Sequence, residues 1–340
     1  MDIQYKRWKA FASFVSQYRE DGHYSSLWSE FIRDFTIEPG EFKEVNKFIQ
    51  KNCRGYSFLD SPSVFPKFRD ATELTFGLAV HIIDSIWRRL LSAARSNRLG
   101  RQLDWRTYKV YAFLRKNGIK IDDYLGPVSR VHPVRISYNS LKTVYFAHKV
   151  FSNCAFDNDR RNFFLEVGAG AANFLIITAF RFSKLSYYVV DLPEMLLVSS
   201  FETLKHVPGA HIYMPNDVEN GVLEQPLRGD KNFIFLTPSQ IGRIPNNSID
   251  LALNIESFAE MPQNVAESYI DFFYRILKPG AYMFTANRES RIISENGSFT
   301  CYWKLPYSDK DKIILWEYCP MRQFMMNGMS PNINRLARVP

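Results

Sequence analysis

The chain predicts a mixed α/β fold: a mostly parallel sheet covered by helices on both faces, preceded by a mostly helical N-terminal region. Three observations predict it. After Arg160, apolar runs of strand length alternate with helical patterns, the mark of a layered α/β sheet. Those strands are apolar throughout instead of alternating, as parallel strands buried on both faces are. Before that point, apolar residues recur at three- and four-residue spacing, which is helical periodicity. With 46% hydrophobic residues over 340 positions, the chain is long enough for a packed core in one or two domains.

Taken in order, Tyr5–Tyr18 and Tyr24–Phe35 read as helices, and Pro39 opens another that runs to Lys51. Pro62 and Pro66 mark an irregular linker, and a longer helix covers residues 71–96. Trp105–Lys116 is helical and stops at Asn117-Gly118. Asp122–Pro133 reads as a loop around a Gly126-Pro127 turn, and Ser137–Phe151 as helix. The parallel unit then runs through strand Phe163–Val167, helix Asn173–Phe182, strand Tyr187–Val190 and helix Pro193–His206. Phe233–Leu236 is the third strand, with His211–Met214 competing for that place. Strand Ile249–Leu253, helix Val265–Leu277, a turn at Lys278-Pro279-Gly280 and strand Ala281–Thr285 follow. Trp303–Leu305 and Ile313–Trp316 are expected to form an antiparallel end. The division is residues 1–150 as a helical cap, 151–325 as the sheet domain and 326–340 as a C-terminal tail.

The net charge of +8 is uneven: residues 1–160 carry +9 and residues 161–340 carry −1. A basic N-terminal half favours an anionic partner, such as a nucleotide-linked sugar, a phosphorylated glycan, a membrane surface or nucleic acid. No aromatic–basic RNA motif accompanies it, so nucleic acid ranks low. The four cysteines lack metal-ligand spacing and suit a reducing compartment. The opening MDIQYKRWKAF has no apolar run of signal-peptide length, and no stretch approaches a membrane span. A cytoplasmic location is the expectation.

The chemistry concentrates at strand ends. Phe163–Val167 carries Glu166 and leads into Gly168-Ala169-Gly170-Ala171-Ala172-Asn173. Two glycines allow a tight turn and close approach of a ligand to the backbone. A dinucleotide fingerprint needs no carboxylate here, because pyrophosphate is an anion held at a helix N-terminus. Glu166 would instead face a cation. S-adenosylmethionine offers both an ammonium and a sulfonium, so Glu166, Gly168, Ala169, Gly170 and Asn173 are read as its site. Asp191, followed by Leu192, ends the second strand 25 residues later. It can accept hydrogen bonds from both ribose hydroxyls or cap the helix that starts at Pro193. Pro238, Ser239 and Gln240, after the third strand, are placed beside the adenine, with Asn216-Asp217 competing. Asn254 ends the fourth strand, and the turn beyond it carries Glu256 and Glu260. Ligands of open α/β sheets bind beyond the carboxyl ends of the strands. Glu256 is therefore the first candidate base, with Glu260, His148 and His132 as alternatives. A divalent cation on Glu256, Glu260 and sugar hydroxyls is a further reading of the same donors.

Several of these stretches resemble one family. Glu166 to Gly170, Tyr188-Val189-Val190-Asp191-Leu192-Pro193-Glu194, Asn254-Ile255-Glu256-Ser257-Phe258-Ala259-Glu260-Met261 and Asn287-Arg288 resemble the sugar O-methyltransferase family over roughly residues 130–290. Asp21-Gly22-His23-Tyr24 is similar as well. Ala172 departs from the glycine often found at its position. The resemblance implies a Rossmann-like methyltransferase domain and a carbohydrate or nucleotide-sugar acceptor, methylated at a hydroxyl. A methyltransferase acting on RNA or another small molecule, and a non-catalytic S-adenosylmethionine-binding protein, are the alternatives. The oligomeric state is not legible.

Overall fold

The computed structural model describes residues 2–15, 105–131, 136–219, 229–292, 299–326 and 331–340, together with Leu223 and Leu227. The helices expected at Tyr24–Phe35, Pro39–Lys51 and residues 71–96 lie outside the described residues, as does His132.

Numbered over the described residues, the helices before the sheet are α1 (Asp2–Val15), α2 (Trp105–Lys116), α3 (Asp122–Ser129) and α4 (Tyr138–Phe151). The parallel unit runs β1 (Asn162–Val167), α5 (Asn173–Arg181), β2 (Leu185–Val190), α6 (Pro193–His206), β3 (His211–Tyr213), α7 (Pro215–Glu219) and β4 (Lys231–Leu236). It continues through β5 (Ile249–Ile255), α8 (Gln263–Ile276) and β6 (Leu277–Arg288). A hairpin of β7 (Ser290–Ile292) and β8 (Phe299–Cys301) follows, then β9 (Lys312–Tyr318), α9 (Pro320–Met326) and β10 (Asn332–Arg338).

One eight-stranded sheet has the order β3-β4-β2-β1-β5-β6-β10-β9. The first six strands in that order are parallel, and β10 runs antiparallel to both β6 and β9. The architecture is the Rossmann-like α/β fold that the sequence predicts. From β1 the chain builds outward to β2 and β4 on one side, then returns to β5 and β6 on the other. That reversal opens a crevice beyond the carboxyl ends of β1 and β5, the usual ligand position in such sheets.

Side chains along each strand alternate between two cores. Phe164, Tyr187 and Val189 pack under α4, α5 and α6, whereas Leu165, Val167, Tyr188 and Val190 pack under α8. This two-sided burial is why the strands read as unbroken apolar runs. Ser137 caps α4, accepting from the Ser140 N–H while Ser140 Oγ accepts from the Ser137 N–H. That reciprocal cap fixes where the helix enters the site. The short edge strand β3 is closed off by α1: Gln4 accepts from the Ile212 N–H at 2.9 Å and Arg7 donates to the Ile212 carbonyl at 3.1 Å. Trp8 anchors the same helix, donating to the Leu197 carbonyl at 2.9 Å. An edge strand capped this way has no free groups for another strand to pair with.

Four expectations are corrected. Asp122–Ser129 is a helix, with Pro127 inside it and Leu125 and Val128 buried. Asp122 and Asp123 favour its first turn, and in so short a helix Pro127 removes a single interior bond. Residues 302–304 form one 3-10 turn and not a strand, and the partner of β9 is β10. Both contenders for the third strand are strands; the 231–236 segment pairs with β2 and His211–Tyr213 lies at the edge. Residues 332–338 are no tail: β10 sits inside the sheet, with Asn332, Asn334 and Arg335 buried. Its polar residues disguise it. Arg335 pairs with Asp311 at 2.5 Å, and Asn334 donates to Tyr145 Oη at 3.1 Å. Among the described residues no helix is long and apolar enough to cross a membrane.

Candidate active site

The turn from β1 into α5 forms the floor of the site. Gly168 has φ +73°, and a Cβ there would lie well inside van der Waals contact with Ser257. Only glycine satisfies both conditions without strain. Ala172, at the helix cap, also holds a left-handed conformation with φ +58°. The substitution seen in the sequence therefore keeps the glycine-like backbone at some cost.

Two carboxylates flank this turn. Asp191, beyond β2, accepts from the Gly170 N–H at 3.0 Å and the Leu192 N–H at 2.8 Å. It thus ties the second strand to the glycine turn, and it caps no later turn of α6. Burial pushes its carboxyl up to about 7, against the pull of the two N–H groups; Glu260 and Glu194 add to the rise. Glu166, buried in β1, accepts from the Tyr187 hydroxyl at 2.7 Å. Burial pushes Glu166 up to about 7 also, with Asp191 adding to the rise. Two such carboxyls gain stability by meeting a cation or hydroxyl donors.

A cavity of ≈ 430 Å³ opens above the turn, within the size range of small-molecule sites. Of the residues read from the sequence as a cosubstrate site, Glu166, Gly168, Ala169, Gly170, Asn173, Asp191, Leu192 and Pro238 line it, and so do Glu256 and Glu260. Ser239, Gln240 and Asn254 do not. Ser239 pairs with the Thr237 hydroxyl, and buried Gln240 joins Thr237 to the Pro215 carbonyl. Asn254 is wholly buried: it donates to the Val167 carbonyl and accepts from Asn287 and the Phe258 N–H. Its role is to lock the end of β5 to the end of β1.

Of the four groups offered as base, the three that are described separate. Glu256 has φ +66°, unusual for a residue with a side chain. It is fixed by its N–H donating to the Ala286 carbonyl at 2.7 Å, by Lys142 at 2.6 Å and by Arg322. Burial would raise its carboxyl, but Lys142 and Arg322 overcome this and hold it down to about 2. A carboxylate so acidic is a poor proton acceptor at neutral pH. Glu260 lines the cavity on the Asp191 side, where its charge is felt by Asp191. His148 is outside the cavity lining; its Nδ1 meets the Tyr124 hydroxyl at 3.0 Å, and burial followed by Lys149 lowers its pKa.

The donors do not suit a divalent cation. Among the described residues no group of three His, Cys, Asp or Glu side chains converges. Glu256 is already committed to two cations, which would repel a third.

Sequence reading missed the opposite wall. Asn139, Lys142, Thr143 and Phe146 of α4 face the cavity at helical spacing, and Tyr269 and Val265 of α8 close another side. The three- and four-residue spacing was visible, but it reads equally as core. Arg322, more than sixty residues beyond Glu256, carried no local signal at all.

No family model and no curated protein matches the chain. Solved structures that resemble it include the cyclase SpnF, at 13% identity and TM-score 0.41 over 66% of this chain and 96% of that one. Another is a SAM-dependent methyltransferase from Methanosarcina mazei, at 16% identity and TM-score 0.38 over 55% and 95%. A third is geranyl diphosphate C-methyltransferase from Streptomyces coelicolor, solved with magnesium, geranyl diphosphate and S-adenosyl-L-homocysteine. It shows 10% identity and TM-score 0.38 over 59% and 81%. At these scores the likenesses carry no argument about substrate or chemistry.

Proposed function

We propose that the chain transfers a methyl group from S-adenosylmethionine to a hydroxyl of a sugar or nucleotide-linked sugar. The observation that carries the methyltransferase reading is one arrangement. Two carboxylates, Glu166 and Asp191, end neighbouring parallel strands and flank a glycine turn that lines a ≈ 430 Å³ cavity. A nicotinamide or flavin dinucleotide would bring a pyrophosphate to that turn, and Glu166 would repel it. The ammonium of S-adenosylmethionine is complementary to Glu166, and its ribose diol to Asp191.

When bound, S-adenosylmethionine supplies an electrophilic methyl on a positive sulfur. The protein's task is then to hold the cosubstrate, align an acceptor oxygen and exclude water. Gly168 and Gly170 admit the ligand to the backbone, and buried Phe146 of α4 walls the cavity against solvent. Helix α4 forms the acceptor-side wall of the cavity. Glu256 serves as a positioning group for Lys142, and Glu260 is the remaining carboxylate for the acceptor's proton. The sugar acceptor rests on the resemblance carried by Asp191-Leu192-Pro193-Glu194 and the Asn254–Met261 stretch.

Isothermal titration with S-adenosylmethionine and S-adenosylhomocysteine tests the first half of the reading. Both should bind, and absence of binding by either would remove it. Release of S-adenosylhomocysteine across a panel of sugars and nucleotide sugars tests the second half. Turnover with non-sugar acceptors alone would overturn the sugar assignment.

A further inference from the structure

Beyond the cofactor end of the cavity, three distant segments bring charges together. Lys142 comes from α4, Glu256 from the turn after β5 and Arg322 from α9. Lys142 and Glu256 line the cavity. Among the described residues, Glu256 is the carboxylate paired with both Lys142 and Arg322. Both cations also stand over the ring of Tyr138, at 5.7 Å and 5.8 Å from its centroid. Among the described residues, two cations meet one carboxylate here, which leaves one positive charge in excess. In a concave, partly buried setting such an excess is costly unless an anion completes it.

The pairing geometry leaves donors for that anion. Lys142 has three N–H groups and spends one on Glu256. Behind the cavity wall, the Nε of Arg322 is buried and has no hydrogen-bond partner among the described residues. The backbone of Glu256 is held in a left-handed conformation, a kind of local strain that clusters where structure serves binding. Glu256 holds the Lys142 ammonium at 2.6 Å, and Lys142 lines the cavity.

We infer that Lys142, backed by Arg322, forms a subsite for an anionic group of the acceptor, a phosphate or a carboxylate. The inference rests on the methyltransferase reading for the word acceptor. It narrows that reading from any hydroxylated sugar to one bearing negative charge. The +9 charge of residues 1–160 favours an anionic partner.

Isothermal titration of the full chain with glucose 1-phosphate, glucuronate and glucose tests this, each with and without saturating S-adenosylhomocysteine. At least one anion should bind more tightly than glucose in both arms, and less tightly as salt is raised. Lys142→Met should weaken that binding roughly tenfold or more, and Lys142→Arg should preserve it. Preference for glucose 1-phosphate assigns a phosphate, and preference for glucuronate a carboxylate. Glucose binding as tightly as both anions overturns the subsite without any variant. So does absence of binding by all three probes, or unchanged anion affinity in a Lys142→Met chain with a normal melting curve. Competition between anion and S-adenosylhomocysteine, with Lys142→Met weakening the latter, would instead give Lys142 to the amino-acid carboxylate of the cosubstrate. If S-adenosylhomocysteine fails to bind at all, the methyltransferase reading falls, while the arm without it still decides the subsite.

Discussion

Ser257 occupies the space that any side chain at Gly168 would need. A Cβ on Gly168 would collide with both Ser257 Oγ and Cβ, while Ser257 itself is held by the Val167 carbonyl at 3.1 Å. Gly168→Ala should therefore push the end of β5 away from the end of β1 and weaken S-adenosylhomocysteine binding by about 100-fold or more, with strain of roughly 1–2 kcal/mol from the backbone alone. Ser257→Gly on that background should recover part of the affinity but not the backbone strain. Calorimetry on both variants checks this; a Gly168→Ala chain of normal affinity would refute it.

Asp191→Ala should weaken S-adenosylhomocysteine binding by about 1–3 kcal/mol, the range for hydrogen bonds to a charged group. The fold should survive, because the Gly170 and Leu192 N–H groups that Asp191 holds border the cavity. Unchanged affinity in a folded variant would reduce Asp191 to a local turn stabiliser.

The two raised carboxyls give a pH dependence of definite sign. Glu166 moves from 4.5 to about 7 and Asp191 from 3.8 to about 7. Between those limits the native chain binds more protons than the unfolded one, so stability of the free protein should fall as pH rises from about 4 to 7 and level off above. Ligand binding runs the other way, since the ionised carboxylates are the ones that meet the cosubstrate. Affinity for S-adenosylhomocysteine should tighten from pH 6 to pH 8, and Asp191→Asn should flatten that trend. Chemical denaturation and calorimetry over this range measure both slopes.

Tyr187→Phe removes the hydroxyl that donates to Glu166 and tends to lower its pKa. The Glu166 carboxyl should rise further. The loss of S-adenosylhomocysteine affinity should then be greatest below pH 7 and small at pH 9. A loss independent of pH would point to packing alone.

Glu256→Gln separates positioning from proton transfer. With its carboxyl held down to about 2, Glu256 is ionised throughout the neutral range. The variant should raise the acceptor KM by roughly tenfold as Lys142 and Arg322 lose their anchor. The pH–rate profile should keep its shape between pH 5 and pH 9. Disappearance of an acidic limb from that profile would return Glu256 to the role of base.

How much of this was legible follows from where each signal resides. The β1–α5 turn, β2 and α6 were readable because apolar strands buried on both faces leave no polar interruption, and because Glu166 and Asp191 stand at their ends. α3 was hidden by Gly126-Pro127, local punctuation that the buried Leu125 and Val128 override. β10 was hidden because Asn334 and Arg335 find their partners in distant segments, Tyr145 of α4 and Asp311 just before β9. The acidity of Glu256 was hidden for the same reason: its two cations lie 114 and 66 positions away.

The place of β10 has a consequence for how the chain is made. β6 ends at Arg288, but its second neighbour is not complete until Arg338, and β9 has β10 as its partner. Synthesised from the N-terminus at about 5–20 residues per second, a nascent chain spends several seconds with the open flank of β6 unpaired. During that interval Trp316 and Tyr318 of β9 trail without a strand to join. The ribosome-bound intermediate thus offers a sticky seam between the sixth and seventh strands of the future sheet, and chaperone capture should peak there and end once residues 332–338 pair with β6.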